Sequence, residues 1–194
     1  MYTLIVGQSC SGKTTLARRL SQYPNILTFL EPEDTECTFY PLFLDNPRKY
    51  AFANQLEFMD LLLLNEQRIA NSYSFKLVFQ ETGFIACHNV YNMFLREQGL
   101  LSPSEFDALS RRYSEHVREC PLPERIVYLT AKTVTLTKRA FARDGICTFT
   151  PEQINPFWEK LVQMFEVRGT PILRLDTDKE DEASVYAAVK RWIG

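Results

Sequence analysis

Short apolar blocks recur along the chain, and most are followed by a stretch whose apolar residues return every three or four positions. Such blocks lie at Tyr2 to Val6, Ile26 to Leu30, Lys76 to Gln80, Arg125 to Leu129 and Pro171 to Leu175. Each predicts a buried strand. Between them, helical spacing predicts helices over Lys13 to Tyr23, Pro47 to about Ala70, Gly83 to Glu97, Ser102 to about Glu119, Thr133 to Arg143, Thr150 to about Val167, and Ala183 to Ile193. Pro47 stands in a first turn, where a missing N–H costs nothing. Ser102-Pro103-Ser104-Glu105 has the spacing of a reciprocal helix cap. The stretch holding Pro32 and Pro41, up to Pro47, reads as irregular. Five strands alternating with helices predict an α/β fold, a five-stranded parallel sheet with helices on both faces. Ligands of such sheets lie beyond the carboxyl ends of the strands. With no repeat, low-complexity tract or linker, the 194 residues read as a single domain.

Composition narrows the function classes. A net charge of −2 and a pI near 5.8 argue against a protein that coats nucleic acid non-specifically. One basic stretch remains, from Arg111, Arg112 and Arg118 through Arg125, Lys132, Lys138 and Arg139 to Arg143. Five cysteines form an odd set without metal-ligand spacing and read as free thiols of a reducing compartment. His88 and His116 are isolated. The longest apolar run, Met59-Asp60-Leu61-Leu62-Leu63-Leu64, is too short to span a bilayer, and Met1 leads directly into a strand. The chain reads as cytoplasmic, with no membrane association.

The chemistry is densest after the first strand. Gly7-Gln8-Ser9-Cys10-Ser11-Gly12-Lys13-Thr14-Thr15 has the spacing of a phosphate-binding loop between strand and helix. Its glycines allow backbone conformations that turn N–H groups inward, and the start of the following helix adds positive potential. Lys13 can bridge β- and γ-phosphates, and the Thr14 hydroxyl can ligate Mg²⁺. ATP and Mg²⁺ are the expected nucleotide and metal, with Gly7, Ser9, Cys10, Ser11, Gly12, Lys13, Thr14 and Thr15 forming the cradle. Glu81, at the end of the third strand, stands where a carboxylate for the metal and its water is expected.

Other strand and helix ends carry candidates for an acceptor. Glu31 directly follows the second strand, where a carboxylate can take the proton of an attacking hydroxyl. Gln55, on the long helix from Pro47, offers an amide donor and acceptor that suit a nucleobase edge. Arg139 and Arg143, four apart on one helix, can close over a triphosphate as a lid spanning about 139–149 and stabilise transferring charge. Phe43 and Phe84 are candidates to wall the acceptor pocket.

With these features together the chain resembles the deoxyribonucleoside kinase family, with the thymidylate kinases behind it. The resemblance rests on Glu31-Pro32, on Pro47-Arg48-Lys49-Tyr50-Ala51-Phe52-Ala53-Asn54-Gln55, and on Tyr128-Leu129-Thr130-Ala131. It implies that Asp176 to Lys179 contact the donor adenine, and that two chains pair as a homodimer through long helices. Departures fall on the acceptor side. The family's acid-arginine motif after the third strand reads Gln80-Glu81-Thr82, without arginine. The base-stacking aromatic beside the family's glutamine is Asn54. A rebuilt pocket implies a deoxynucleoside, a nucleotide or a hydroxymethylated pyrimidine as acceptor, free or within DNA, with the basic stretch then meeting DNA phosphates. A kinase of an unrelated metabolite, and a nucleotide-binding regulatory protein without transfer activity, stand as alternatives.

Overall fold

The computed structural model describes residues 1–32, 36–72, 77–144 and 149–194. Five parallel strands, β1 (Tyr2–Gly7), β2 (Ile26–Phe29), β3 (Leu77–Glu81), β4 (Arg125–Thr130) and β5 (Ile172–Asp176), form one sheet in the order β2-β3-β1-β4-β5. From β1 the chain crosses to the edge strand β2, comes back to β3 beside β1, then passes β1 to add β4 and β5 on the other side. β1 is therefore central, and every residue of it is buried. This explains its mostly apolar sequence, broken by Thr3 alone: a strand covered on both faces has no polar side to alternate with.

Two compact units divide the chain. One comprises Met1–Leu30, Tyr73–Thr82 and Pro123–Gly194, the other Glu31–Ser72 and Gly83–Leu122. In the first, α1 (Lys13–Leu20) and α9 (Glu182–Ile193) cover one face of the sheet. Leu16, Ala17 and Leu20 from α1 and Val185, Tyr186 and Val189 from α9 join Ile5, Phe79, Val127, Leu129 and Leu175 in one cluster. The period-two alternation of strands turns Tyr128 and Arg174 to the other face. There Tyr128 donates to Glu159 at 2.8 Å, and Arg174 pairs with Glu159 and Glu166 at 3.2 and 3.0 Å, all on α8 (Pro151–Val167). α7 (Thr133–Asp144) completes this unit's helices among the described residues.

The second unit is helical. It holds α2 (Tyr40–Asp45), α3 (Pro47–Ala70), α4 (Phe84–Ala86), a π-helical turn at Cys87–Asn92, α5 (Met93–Glu97) and α6 (Pro103–His116). The expected reciprocal cap of α6 is present: Glu105 N–H donates to Ser102 Oγ at 3.3 Å, and Ser102 N–H donates to the Glu105 carboxylate at 2.8 Å. α2 corrects the expectation of an irregular stretch there. Pro41 lies in its first turn, where proline is tolerated, and Glu57 of α3 accepts the N–H groups of Thr38 and Phe39, both at 2.9 Å. Most boundaries differ from the expected ones by up to three residues. Lys76, expected to open β3, lies outside the described residues. No helix among the described residues is long and apolar enough to cross a membrane.

Candidate active site

The register of the sheet brings the phosphate loop and the end of β3 together. Ile5 pairs with Glu81, and Thr82 N–H donates to the Ile5 carbonyl at 3.0 Å. Gly7 then turns the chain at φ 145°. A side chain there would have its Cβ 2.3 Å from the Leu129 carbonyl oxygen and 2.8 Å from Ser11 Oγ, so only glycine fits. Gly12, at φ 96°, ends the loop and provides no side-chain cap for α1. The first amides of that helix thus keep their donors for an anion.

Inside the loop, three predicted residues meet. Thr14 Oγ1 donates to Glu81 Oε1 at 2.7 Å, and Lys13 Nζ lies 3.9 Å from the same oxygen and donates to the Gln8 carbonyl at 3.2 Å. Lys13 is 5% exposed and Glu81 2%. Glu81 Oε2 is also buried and accepts no hydrogen bond among the described residues. A buried carboxylate oxygen without a donor is costly in an apolar interior, and a hard cation satisfies it. The Thr14 hydroxyl and Glu81 carboxylate are hard oxygen donors of the kind that would suit Mg²⁺, with phosphates and water to complete its shell. Among the described residues no three His, Cys, Asp or Glu side chains converge as a separate metal cage.

The arginines of α7 also reach the loop. Arg139 donates to the Cys10 carbonyl at 3.3 Å and to Thr177 twice, at its hydroxyl and its carbonyl, both at 3.0 Å. Arg143 donates to Ser9 Oγ at 3.2 Å. Residues 145–148 of the expected lid lie outside the described residues. The loop after β5 is ordered by its own polar groups: Asp176 accepts the Asp178 N–H at 3.0 Å and pairs with Lys179 at 3.0 Å, which holds its carboxyl below the usual range. Ser11 is fully buried behind the loop, Ser9 and Thr15 are exposed, and Cys10 is half-buried with φ 63°. Thr14 and Thr15 open onto a depression of about 490 Å³ bordered by Arg18, Arg19, Gln22 and Glu182.

The acceptor-side candidates belong to the second unit. Gln55 is 6% exposed, and its Oε1 lies 3.7 Å from Cys87 Sγ, which donates weakly to it. Burial, and secondarily the Glu31 charge, push that thiol far above its ordinary value, so it stays protonated. Gln55, distant in sequence, thus lies against Cys87, whose thiol also feels the Glu31 charge. Asn54 is 2% exposed, and its Oδ1 is buried with no donor among the described residues. Phe84 is fully buried and stacks on Tyr113 with ring centroids 5.6 Å apart, while Phe43 is 6% exposed. Both rings are packed inside this unit. Sequence reasoning missed Cys87 and also Glu66, a buried carboxylate of α3 that accepts the Phe84 N–H at 3.0 Å. The signal for Glu66 was an acidic residue on the apolar stripe of α3.

A sequence model of the deoxynucleoside kinase family matches residues 4–192. Over 169 residues the chain is 28% identical to the deoxyguanosine kinase of Bacillus subtilis strain 168, covering 86% of this chain and 77% of that one. A structure of deoxyadenosine kinase from M. mycoides with bound dATP superposes with a TM-score of 0.81 at 17% identity, covering 100% of this chain and 99% of that one. A second structure of that enzyme, with the products dCMP and dCDP bound, gives 0.78 at 14% identity, covering 100% and 98%. At such identities these two structures speak to the fold, whereas the family match runs from β1 through α9. With its phosphate loop set against a buried strand-end carboxylate, the chain is matched by the family model from residue 4 to residue 192, and that match places it in the deoxynucleoside kinase family of phosphotransferases.

Proposed function

We propose that the chain transfers the γ-phosphoryl group of ATP to a hydroxyl of a deoxynucleoside. The observation that carries this reading is the cluster of buried Lys13 and Glu81 with half-buried Thr14, one carboxylate oxygen having no donor among the described residues. Lys13 follows the migrating phosphoryl charge, and Arg139 and Arg143 stabilise that charge from α7 as parts of a lid. Thr14 and Glu81 would hold Mg²⁺, which would neutralise phosphate oxygens. Glu31 takes the proton of the attacking hydroxyl. Gln55 reads the base edge, its carbonyl already engaged by the Cys87 thiol. Phe43 and Phe84 shape the acceptor side, and Asp176 to Lys179 border the donor base. The whole chain works as one catalytic domain.

A free nucleoside fits better than a DNA strand. Arg112 of the basic stretch is committed to Asp60 at 2.6 Å, and Arg139 to Cys10 and Thr177. The outer side of α3, where Leu64 is 49% exposed, supports pairing with a second copy, which the mass in solution tests.

ADP release measured against deoxynucleosides, their monophosphates, DNA with normal or hydroxymethylated bases, and simple alcohols tests the reading. Turnover with a deoxynucleoside is expected. Turnover only with modified DNA or only with an unrelated alcohol overturns the acceptor class. Nucleotide binding without any transfer overturns the kinase reading.

A further inference from the structure

Three consecutive residues of the phosphate loop are each held from outside by a different residue of the two helices flanking 145–148. Cys10 takes Arg139, Ser9 takes Arg143, and Gln8 donates from Nε2 to Asn155 Oδ1 of α8 at 2.9 Å. The third contact differs in kind. It involves no charge, and Gln8 is 8% exposed. Gln8 is also the pivot of the loop: its carbonyl accepts both Lys13 Nζ and the Ser11 N–H, each at 3.2 Å. A residue that fixes the Gln8 side chain therefore fixes the carbonyl from which Lys13 must depart to reach a phosphoryl oxygen.

We propose that Asn155 is a positioning residue for phosphoryl transfer, acting through Gln8 on the orientation of Lys13. The inference rests on the kinase reading for its catalytic consequence, but the contact itself acts on the loop whatever the acceptor. Asn155 lies in the first turns of α8, immediately before Pro156. Pro156 has no N–H to give the carbonyl one turn back, so this part of the helix is less tied to its own ladder. The Gln8 amide gives it an anchor outside the helix. A neutral amide suits the role: it orients the loop without adding a charge that competes with Lys13 for phosphate. Misplacement of a reacting group by about 1 Å costs up to ~10²-fold in rate.

A double-mutant cycle tests this. Asn155→Ala, Gln8→Ala and the double variant are compared with the parent chain in kcat, in KM for ATP and for the acceptor, and in Tm. Asn155→Ala is expected to lower kcat roughly 10-fold with acceptor KM and Tm unchanged, and the double variant to be no worse than Gln8→Ala alone. Hydrogen exchange gives a readout independent of turnover: the Ser11 amide should exchange faster in Asn155→Ala while the amides of β1 and β4 keep their protection. Failure of the kinase reading would show as absent transfer in the parent chain, with the exchange result intact. An unchanged Ser11 amide, or additive kcat losses, overturns the role of Asn155. A lowered Tm with exchange raised throughout the unit would mark Asn155 as merely structural and equally overturn it.

Discussion

Thr14 and Glu81, separated by 67 residues, meet at 2.7 Å because β1 and β3 are neighbours in register. The pair joins the loop that would hold phosphate to the carboxylate that would hold its metal. Glu81→Gln keeps the shape and removes the charge, and should lower kcat about 10²-fold with a raised Mg²⁺ requirement. Glu81→Arg should be inactive. Lys13→Ala should lose on the order of 10²-fold or more in a protein whose circular dichroism is unchanged. Near-normal turnover in either Glu81 variant would remove the metal assignment, and in Lys13→Ala the phosphate-loop assignment.

Glu31→Gln fills the same space but takes no proton. It should bind ATP as before and lose ~10²- to 10⁴-fold in transfer. Equilibrium binding and single-turnover kinetics separate the two, and a full rate at neutral pH would strip Glu31 of its role as base.

The two arginines of α7 should part company. Arg143→Ala should lower kcat more than it raises KM for ATP, with little change in Tm. Arg139→Ala should lower kcat and also remove three hydrogen bonds that join the Cys10 carbonyl to Thr177. Its half-exposed position limits that loss to roughly 1–2 kcal/mol, read as a Tm lower by about 3 to 6 °C. Equal Tm values for the two variants would count against the distinction.

Acceptor charge gives a further test. With Glu81 buried beside Lys13 and no arginine at Gln80-Glu81-Thr82, the reacting hydroxyl should lie on a neutral group such as a sugar CH₂OH. Common monophosphates such as dTMP should therefore be poor acceptors on their phosphate. Efficient formation of nucleoside diphosphates in a coupled ADP assay would show this charge argument to be wrong.

His88 stacks on Tyr113 at 4.2 Å and on Phe106 at 5.9 Å, and lies 3.4 Å from the Asn92 amide. Burial lowers its pKa from 6.5 to about 4. Below about pH 6.5 the unfolded chain binds a proton here that the folded chain refuses until pH nears 4. Stability should fall as pH drops through that window. His88→Phe keeps a ring in the stack and should flatten the decline between pH 7 and pH 5 in urea titrations. An unchanged slope would assign it to another group.

What was legible in the sequence was local. The loop from Gly7 to Thr15 declares itself because its chemistry lies in nine consecutive residues, and α3 and α8 begin at prolines that sequence rules recognise. Contacts set by packing were not legible. Glu81 read as a strand-end carboxylate suited to a metal, but its burial and its hydrogen bond from Thr14 follow only from the register with Ile5. Cys87 reads as one thiol among five in sequence, and only the fold sets it against Gln55. The π-helical turn at Cys87–Asn92 has no compositional mark. Asn155 gave no warning because its partner lies 147 residues away.

The central position of β1 has a cost during synthesis. Its two neighbours, Leu77–Glu81 and Arg125–Thr130, emerge from the ribosome long after it does. Until then an apolar strand, later covered on both faces, has no partner for either edge. Pairings of such wide sequence separation make folding slow and leave the nascent chain open to aggregation. Refolding yield should depend on concentration more steeply than the stability of the finished protein would suggest, and a chaperone that shields β1 should improve it.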